Sequence, residues 1–156
     1  MSRKEYDIHE IIKNYPYLLG NELENLNLKH ERIYEDRTRA DFVFANNDRA
    51  VVVEIKKGRI DTRMLVQALH YLDNEKMENP AKKLKGMLVG RYVSNTLKNE
   101  IGKSDYKFEI KILGIDVPTN IKICDKCRRA NVLSNSTCKY CGSRKFIVDP
   151  FLFRQS

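Results

Sequence analysis

Asp41, followed after twelve intervening residues by Glu54-Ile55-Lys56, has the residue types and spacing for hydrolytic chemistry. The run from Arg39 to Gly58 reads as two short strands, Ala40 to Ala45 and Ala50 to Lys57, joined by the turn residues Asn46, Asn47 and Asp48. Val51, Val52 and Val53 suit a strand covered on both faces. A side-chain period of two puts Val52, Glu54 and Lys56 on one face, and Val51, Val53 and Ile55 on the other. Burying a carboxylate and an ammonium there is costly unless they are paired. With Asp41 on the neighbouring strand, the two carboxylates repel each other unless a divalent cation lies between them. Hydrolysis of a phosphodiester needs an activated water and neutralisation of charge growing on phosphate oxygens, which Mg²⁺ or Mn²⁺ on hard oxygen ligands supplies. The expected ligands are Asp41, Glu54 and the backbone carbonyl of Ile55. Lys56 is placed to orient the water or stabilise the phosphorus.

A second constellation lies further on. Cys124-Asp-Lys-Cys127 and Cys138-Lys-Tyr-Cys141 hold all four cysteines as two C-x2-C pairs, ten residues apart. That spacing predicts one closed, structural tetrahedral Zn²⁺ site, with Gly142 permitting the tight turn after the second pair. Two disulfides are the alternative, but no signal-like apolar core follows the first residues, and disulfides are rare in the cytosol. The segment is basic: from Thr119 to Ser156, eight Lys and Arg stand against two Asp. Arg128, Arg129, Lys139, Arg144 and Lys145 are candidate phosphate contacts. Tyr140, Phe146 and Phe151 would either stack on bases or form the ribbon's own small core and docking surface.

The elements that must position these groups follow from periodicity. A helix from about Asp7 to Tyr15 has Ile8, Ile11, Ile12 and Tyr15 at helical spacing and is ended by Pro16. Its Glu10 is either a solvated surface residue or an extra carboxylate for the metal site. Leu23 to Tyr34 is irregular, a first strand or an extended arm. After Gly58 a helix from Asp61 to Lys76 has Asp61 or Thr62 as N-cap and Met64, Leu65, Ala68, Leu69 and Leu72 as its apolar stripe. Gln67 and Tyr71 share one face of it. His70 reads as a packing or surface residue. A strand from Leu84 to Val89, a helix from Ser94 to Ile101 and a strand from Lys107 to Leu113 follow. This order predicts an α/β sandwich with a mixed central sheet over residues 1–117, and a separate zinc ribbon over residues 118–156.

The spacing of Asp41 and Glu54-Ile-Lys56 resembles the PD-(D/E)XK nuclease motif, and Gln67-x-x-x-Tyr71 resembles the Q-x-x-x-Y motif of its RecB-like branch. The nearer resemblance is to the catalytic domain of the NucS/EndoMS mismatch endonucleases. It is carried by Glu10, Pro16-Tyr-Leu-Leu19, Arg39-Ala-Asp41, Glu54-Ile-Lys56 and Gln67 in that order, over about Tyr6 to Leu72. It implies a restriction-endonuclease-like αβββαβ core, divalent-metal dependence and DNA cleavage, with Glu10, Asp41, Glu54, Lys56 and Gln67 in the site. Ala40 stands where the motif's name has proline. The N-terminal DNA-binding domain of those enzymes has no counterpart in this sequence, so mismatch specificity does not carry over.

The 156 residues carry a formal net charge of +8, which favours an anionic partner such as DNA, contacted also by Arg39, Lys57 and Tyr71. No apolar run approaches the ~20 residues of a membrane span, so the expected location is the cytoplasm. Cutting both strands of a duplex would take a homodimer or two events. A nucleic-acid-binding module that keeps the fold without cutting is the alternative, and the intact Asp-Glu-Lys set favours the enzyme.

Overall fold

Pro16 interrupts the first helix, and the chain then makes two short 3-10 turns before its first strand. The computed structural model describes residues 3–147, with side chains from residue 7 on; Phe151 and Arg154 lie outside the described residues. Helix α1 spans Arg3–Asn14, and the turns cover Pro16–Leu18 and Asn21–Asn25. Strands β1 (Asn27–Ile33), β2 (Arg39–Ala45) and β3 (Arg49–Ile55) follow, then α2 (Thr62–Glu78), β4 (Lys83–Gly90), α3 (Asn95–Gly102) and β5 (Lys107–Ile112). The irregular stretch from Leu23 is thus a turn of helix and then a strand. Leu23 and Leu26 fix it by burying their side chains in the core.

The sheet has the order β1-β2-β3-β4-β5. β1, β2 and β3 pair antiparallel through tight turns, whereas β3, β4 and β5 pair parallel, each crossover supplied by a helix. This is the mixed sheet and αβββαβ order that the sequence predicts, with α3 and β5 added. Two helical layers cover it. On one face Ile8 and Ile12 of α1 pack with Phe42, Phe44, Val51, Val53, Met87 and Val89. On the other, Tyr71 and Leu72 of α2 meet Val43 and Val52, and Met64, Leu65 and Ala68 meet Leu88 together with Leu97 and Ile101 of α3. The valine run is therefore covered on both sides, each side chain contributing about 1.5–3 kcal/mol of burial. Capping sets where the helices start: Asp61 accepts from Met64 N–H at 2.9 Å and Ser94 from Leu97 N–H at 3.1 Å.

One feature differs from expectation: β3 ends at Ile55, so Lys56 lies just past the strand, although its N–H still donates to Val89 O at 2.9 Å. The cysteine segment forms β6 (Ile121–Cys124), β7 (Ala130–Val132) and β8 (Phe146–Ile147) in the order β7-β6-β8 and packs on the body. Ile121, Ile123 and Ala130 bury themselves against Ile11 of α1, flanked by Tyr15, Tyr17 and Leu18. Its sheet is too small for a core of its own and uses α1 as the missing wall.

Candidate functional site

The β2–β3 ladder is regular as far as Phe42 opposite Val53. One step further, Asp41 stands opposite Glu54, and side chains take over the pairing. Ile55 N–H donates to Asp41 Oδ2 at 2.8 Å, and Asp41 N–H donates to Glu54 Oε2 at 3.3 Å. By the period of two, both carboxylates lie on the α2 side, with Val43 and Val52. Glu54 is only 5% exposed. Burial, and then the adjacent Asp41 carboxyl, push the Glu54 carboxyl well above the ordinary carboxylate range. Such a pair holds a proton between its members or exchanges it for a cation.

The pair opens into a cleft of about 300 Å³ lined by Arg39, Asp41, Glu54, Ile55, Lys56, Asp61, Arg63, Met64, Gln67 and Tyr71. The Nζ of Lys56 donates to Asp61 Oδ2 at 2.6 Å, while the other oxygen of Asp61 caps α2. The Lys56 ammonium accordingly holds the Asp61 carboxyl below its usual range. This second use of Asp61, and the presence of Arg63, were not read from the sequence; an N-cap carboxylate five residues after the lysine is the signal that points to the former. Arg39 is held at 3.7 Å by Glu31, a non-glycine residue with φ of 55° in the middle of β1.

Gln67 lines the cleft. Tyr71 does not offer its ring to a base: it is 6% exposed and stacks on Tyr34 with centroids 5.7 Å apart. Burial, then the Glu54 and Asp41 charges, raise its phenol pKa, so only a protonated hydroxyl borders the site. Glu10 is not among the cleft-lining residues, and α1 packs on the face opposite the acid pair. Among the described residues, no third carboxylate or imidazole joins Asp41 and Glu54 closely enough to share an ion. Lys57 is exposed next to the cleft. His70 is a surface residue, bonded to Asp36 at 2.6 Å.

Cys124, Cys127, Cys138 and Cys141 bring their sulfurs within 4.8 Å of one another. The spacings of 3.5 Å for Cys124–Cys141 and 3.6 Å for Cys127–Cys138 rule out S–S bonds, which are about 2.05 Å long. They are near the ~3.8 Å edge of a tetrahedron with a central metal–sulfur distance of about 2.3 Å. The N–H groups of Cys127 and Tyr140 point at Cys124 and Cys138 sulfurs at 3.5 and 3.4 Å, as does Nδ2 of buried Asn131 at Cys138, 3.4 Å away. For Cys138, burial favours the thiol, but these donors and Cys141 N–H outweigh it and hold its pKa below the ordinary thiol value. The Cys127 N–H likewise lowers the Cys124 thiol. For Cys127 the Arg129 N–H favours the thiolate, but burial and the neighbouring sulfurs outweigh it and push the thiol up to about 11. Four sulfurs crowded in this way fit a soft tetrahedral cation that replaces their protons. Asn131, with Oδ1 accepting from Lys139 N–H at 2.8 Å, is a supporting residue that no spacing rule reveals. The turn after each pair uses a left-handed residue, Arg128 at φ 65° and Gly142 at φ 78°.

The ribbon's cations divide into two groups. Arg129 lies between the rings of Tyr17 and Tyr140, at 4.0 and 4.3 Å, and pairs with Glu24 at 2.6 Å. Ala130 N–H also donates to the Tyr17 hydroxyl at 2.7 Å. Arg129 therefore docks the ribbon on the body and is not free for phosphate, which corrects its expected role. Tyr140 takes the docking alternative of its two readings. Phe146 lies under Lys122 at 4.1 Å. Arg128, Lys139, Arg144 and Lys145 remain on the surface.

Fold and site together give a mixed α/β sheet between helical layers, with the acid pair at the open end of β2 and β3, a fold like that of solved repair endonucleases. Among solved structures the chain is similar to a repair endonuclease from Pyrococcus abyssi, at 19% identity and a TM-score of 0.57, over 72% of this chain and 48% of that one. It is also similar to EndoMS in a dsDNA complex, at 19% identity and a TM-score of 0.56, over 69% of this chain and 44% of that one. The chain thus spans under half the length of each. No protein-family model and no curated protein matches the sequence.

Proposed function

We propose that the chain is a divalent-metal-dependent deoxyribonuclease, an endonuclease that hydrolyses DNA phosphodiester bonds. The observation that carries this reading is the Asp41–Glu54 pair, cross-bonded to the facing strands' N–H groups and opening on a cleft that also holds Lys56. The likeness to a repair endonuclease and to EndoMS with dsDNA supports the choice of substrate.

The donor set fits a hard divalent cation, because two adjacent carboxylates, one nearly buried, need a positive charge where a proton otherwise sits. Held by Asp41, Glu54 and the Ile55 carbonyl, Mg²⁺ or Mn²⁺ would neutralise phosphate charge and acidify a water. The chain's own groups do the rest. Lys56, oriented by Asp61, brings its ammonium to the scissile phosphate or the attacking water. Arg39 and Arg63 hold phosphate oxygens at the cleft walls, and the Gln67 amide hydrogen-bonds a phosphate oxygen or that water. Glu10 has no part in this scheme unless substrate draws α1 closer.

The four cysteines would hold one structural Zn²⁺, which stiffens a segment with little core. Four separate thiols suit a reducing compartment, so the proposed location is the cytoplasm. The proposed division is a nuclease unit over residues 1–117 and a ribbon over 118–156, with a homodimer as the arrangement for cutting both strands.

The test is incubation of plasmid and linear DNA with Mg²⁺ or Mn²⁺, and then with EDTA. Nicking that EDTA stops, and that Asp41→Ala and Glu54→Ala lose, is the expected result. A folded, zinc-loaded wild type that binds DNA and never nicks it would instead be a binding module on a nuclease fold.

A further inference from the structure

Past the ends of β3 and β4 the chain continues as two loops side by side. Arg91 N–H donates to Gly58 O and Ile60 N–H to Tyr92 O, both at 2.8 Å, and Arg59 and Tyr92 form a parallel bridge. The approach is tight. A Cβ on Gly90 would lie 2.8 Å from the Gly58 carbonyl oxygen and 2.6 Å from Ile60 Cγ1, so no side chain fits there. Ile60 and Val93 anchor both loops in the core beside Met64 and Leu88.

What this rigid double loop presents outward is cationic. Lys57, Arg59 and Arg91 are exposed, and Tyr92, itself 54% exposed, lies under the Arg59 guanidinium at 5.3 Å. Arg63, exposed on the cleft wall, continues the row into the first turn of α2. The acid within residues 56–63 and 89–93 is Asp61 alone, and both its oxygens are occupied, by Lys56 and by Met64 N–H. Arg59, Arg63 and Arg91, held together on a stiff support with no ion-pair partner among the described residues, attract a polyanion and gain by releasing its counterions.

The geometry points to the paired loops 56–60 and 89–92, continued by Arg63, as the surface that grips the DNA sugar–phosphate backbone, with the ribbon as a structural buttress. The ribbon's Arg129 is already spent on docking, whereas Arg63 lines the cleft of the acid pair and the loops that carry Arg59 and Arg91 leave the ends of β3 and β4 beside it. The inference rests on the DNA-binding half of the proposed function and not on cleavage.

Binding of a labelled duplex of about 20 base pairs to the full zinc-loaded chain, in Mg²⁺-free buffer over a salt series, tests it. The triple variant Arg59→Ala/Arg63→Ala/Arg91→Ala is expected to bind at least about tenfold more weakly, with a log–log salt slope shallower by about 2–3. The corresponding Lys triple is expected to keep the slope, because it keeps the charges. Lys139→Ala/Arg144→Ala/Lys145→Ala is expected to change affinity by less than about threefold. Unchanged affinity and slope in the alanine triple, a Lys triple as weak as the alanine one, or the larger loss in the ribbon set each overturn the inference. A wild type that binds through this surface yet never cuts would leave it standing and sink the proposed activity.

Discussion

At the scale of single residues, Glu54 carries the tension of the site. Its carboxyl is buried and faces another carboxyl, so its pKa is raised above the ordinary 4.5. An acid with a raised folded-state pKa contributes stability below its unfolded value and loses that contribution as pH climbs towards the folded one. In EDTA the wild type should therefore lose melting temperature relative to Glu54→Gln between pH 5 and pH 8. Each 1 kcal/mol of that difference is worth about 2–4 °C at this size. Thermal melts of both proteins at the two pH values measure it, and a constant gap would mean that Glu54 is not strained. Asp61 offers a second prediction. Asp61→Asn keeps a good helix cap but removes the carboxylate that holds Lys56. Single-turnover cleavage should fall about tenfold while DNA affinity and melting temperature hardly move, an order of loss suited to one misplaced group. Equal losses in binding and cleavage would contradict a positioning role. The Asp41–Glu54 pairing was legible because a strand's period of two fixes which residues share a face, and Lys56, though just past β3, lines the same cleft. Asp61's second role was not, because a cap can be read locally and its reach to Lys56 cannot.

At the scale of elements, the strands and helix starts follow from alternation, β-branching and caps, and the observed elements match them to within a few residues. Glu10 and Tyr71 show where that reading stops. Helical periodicity says that α1 buries Ile8 and Ile12, but not which face of the sheet receives them; tertiary packing puts α1 on the face opposite the acid pair. Tyr71 sits at the right spacing for a cleft residue and also at the right spacing for the core, and the stack on Tyr34 claims it. Arg129 reads in sequence as one cation of a basic ribbon, whereas its partners Tyr17 and Glu24 come from over a hundred residues away. Replacing Arg129 by Ala should cost about 1–2 kcal/mol from its two ring contacts and its ion pair. The matching prediction is a lower melting temperature with DNA affinity unchanged. Weaker DNA binding at unchanged stability would return Arg129 to the phosphate-contact role. Arg128 holds a left-handed conformation that glycine adopts without strain, so Arg128→Gly should relieve about 1 kcal/mol and slow metal loss to a chelator.

At the scale of the whole molecule, the ribbon and α1 share one apolar interface, and α1 in turn covers the back of the sheet. Stripping the metal from the four cysteines should therefore lower the melting temperature of the entire chain in one transition. Two transitions, with the later one at the native temperature, would show that the ribbon folds apart from the body. The same connectivity gives the molecule a front and a back: cations and the acid pair gather around the carboxyl ends of β3 and β4, while the ribbon braces the opposite helix. All of this serves the claim that Asp41 and Glu54 form the metal-dependent centre of a nuclease. Nicking of supercoiled plasmid by wild type, Glu54→Gln and Lys56→Ala, with Mg²⁺ and with EDTA, tests that claim most directly. The expected result is Mg²⁺-dependent nicking by the wild type and at least about a hundredfold less by each variant, a loss typical of groups acting at the transition state, with DNA binding retained. Wild-type nicking that persists in EDTA, or that survives Glu54→Gln, would contradict it.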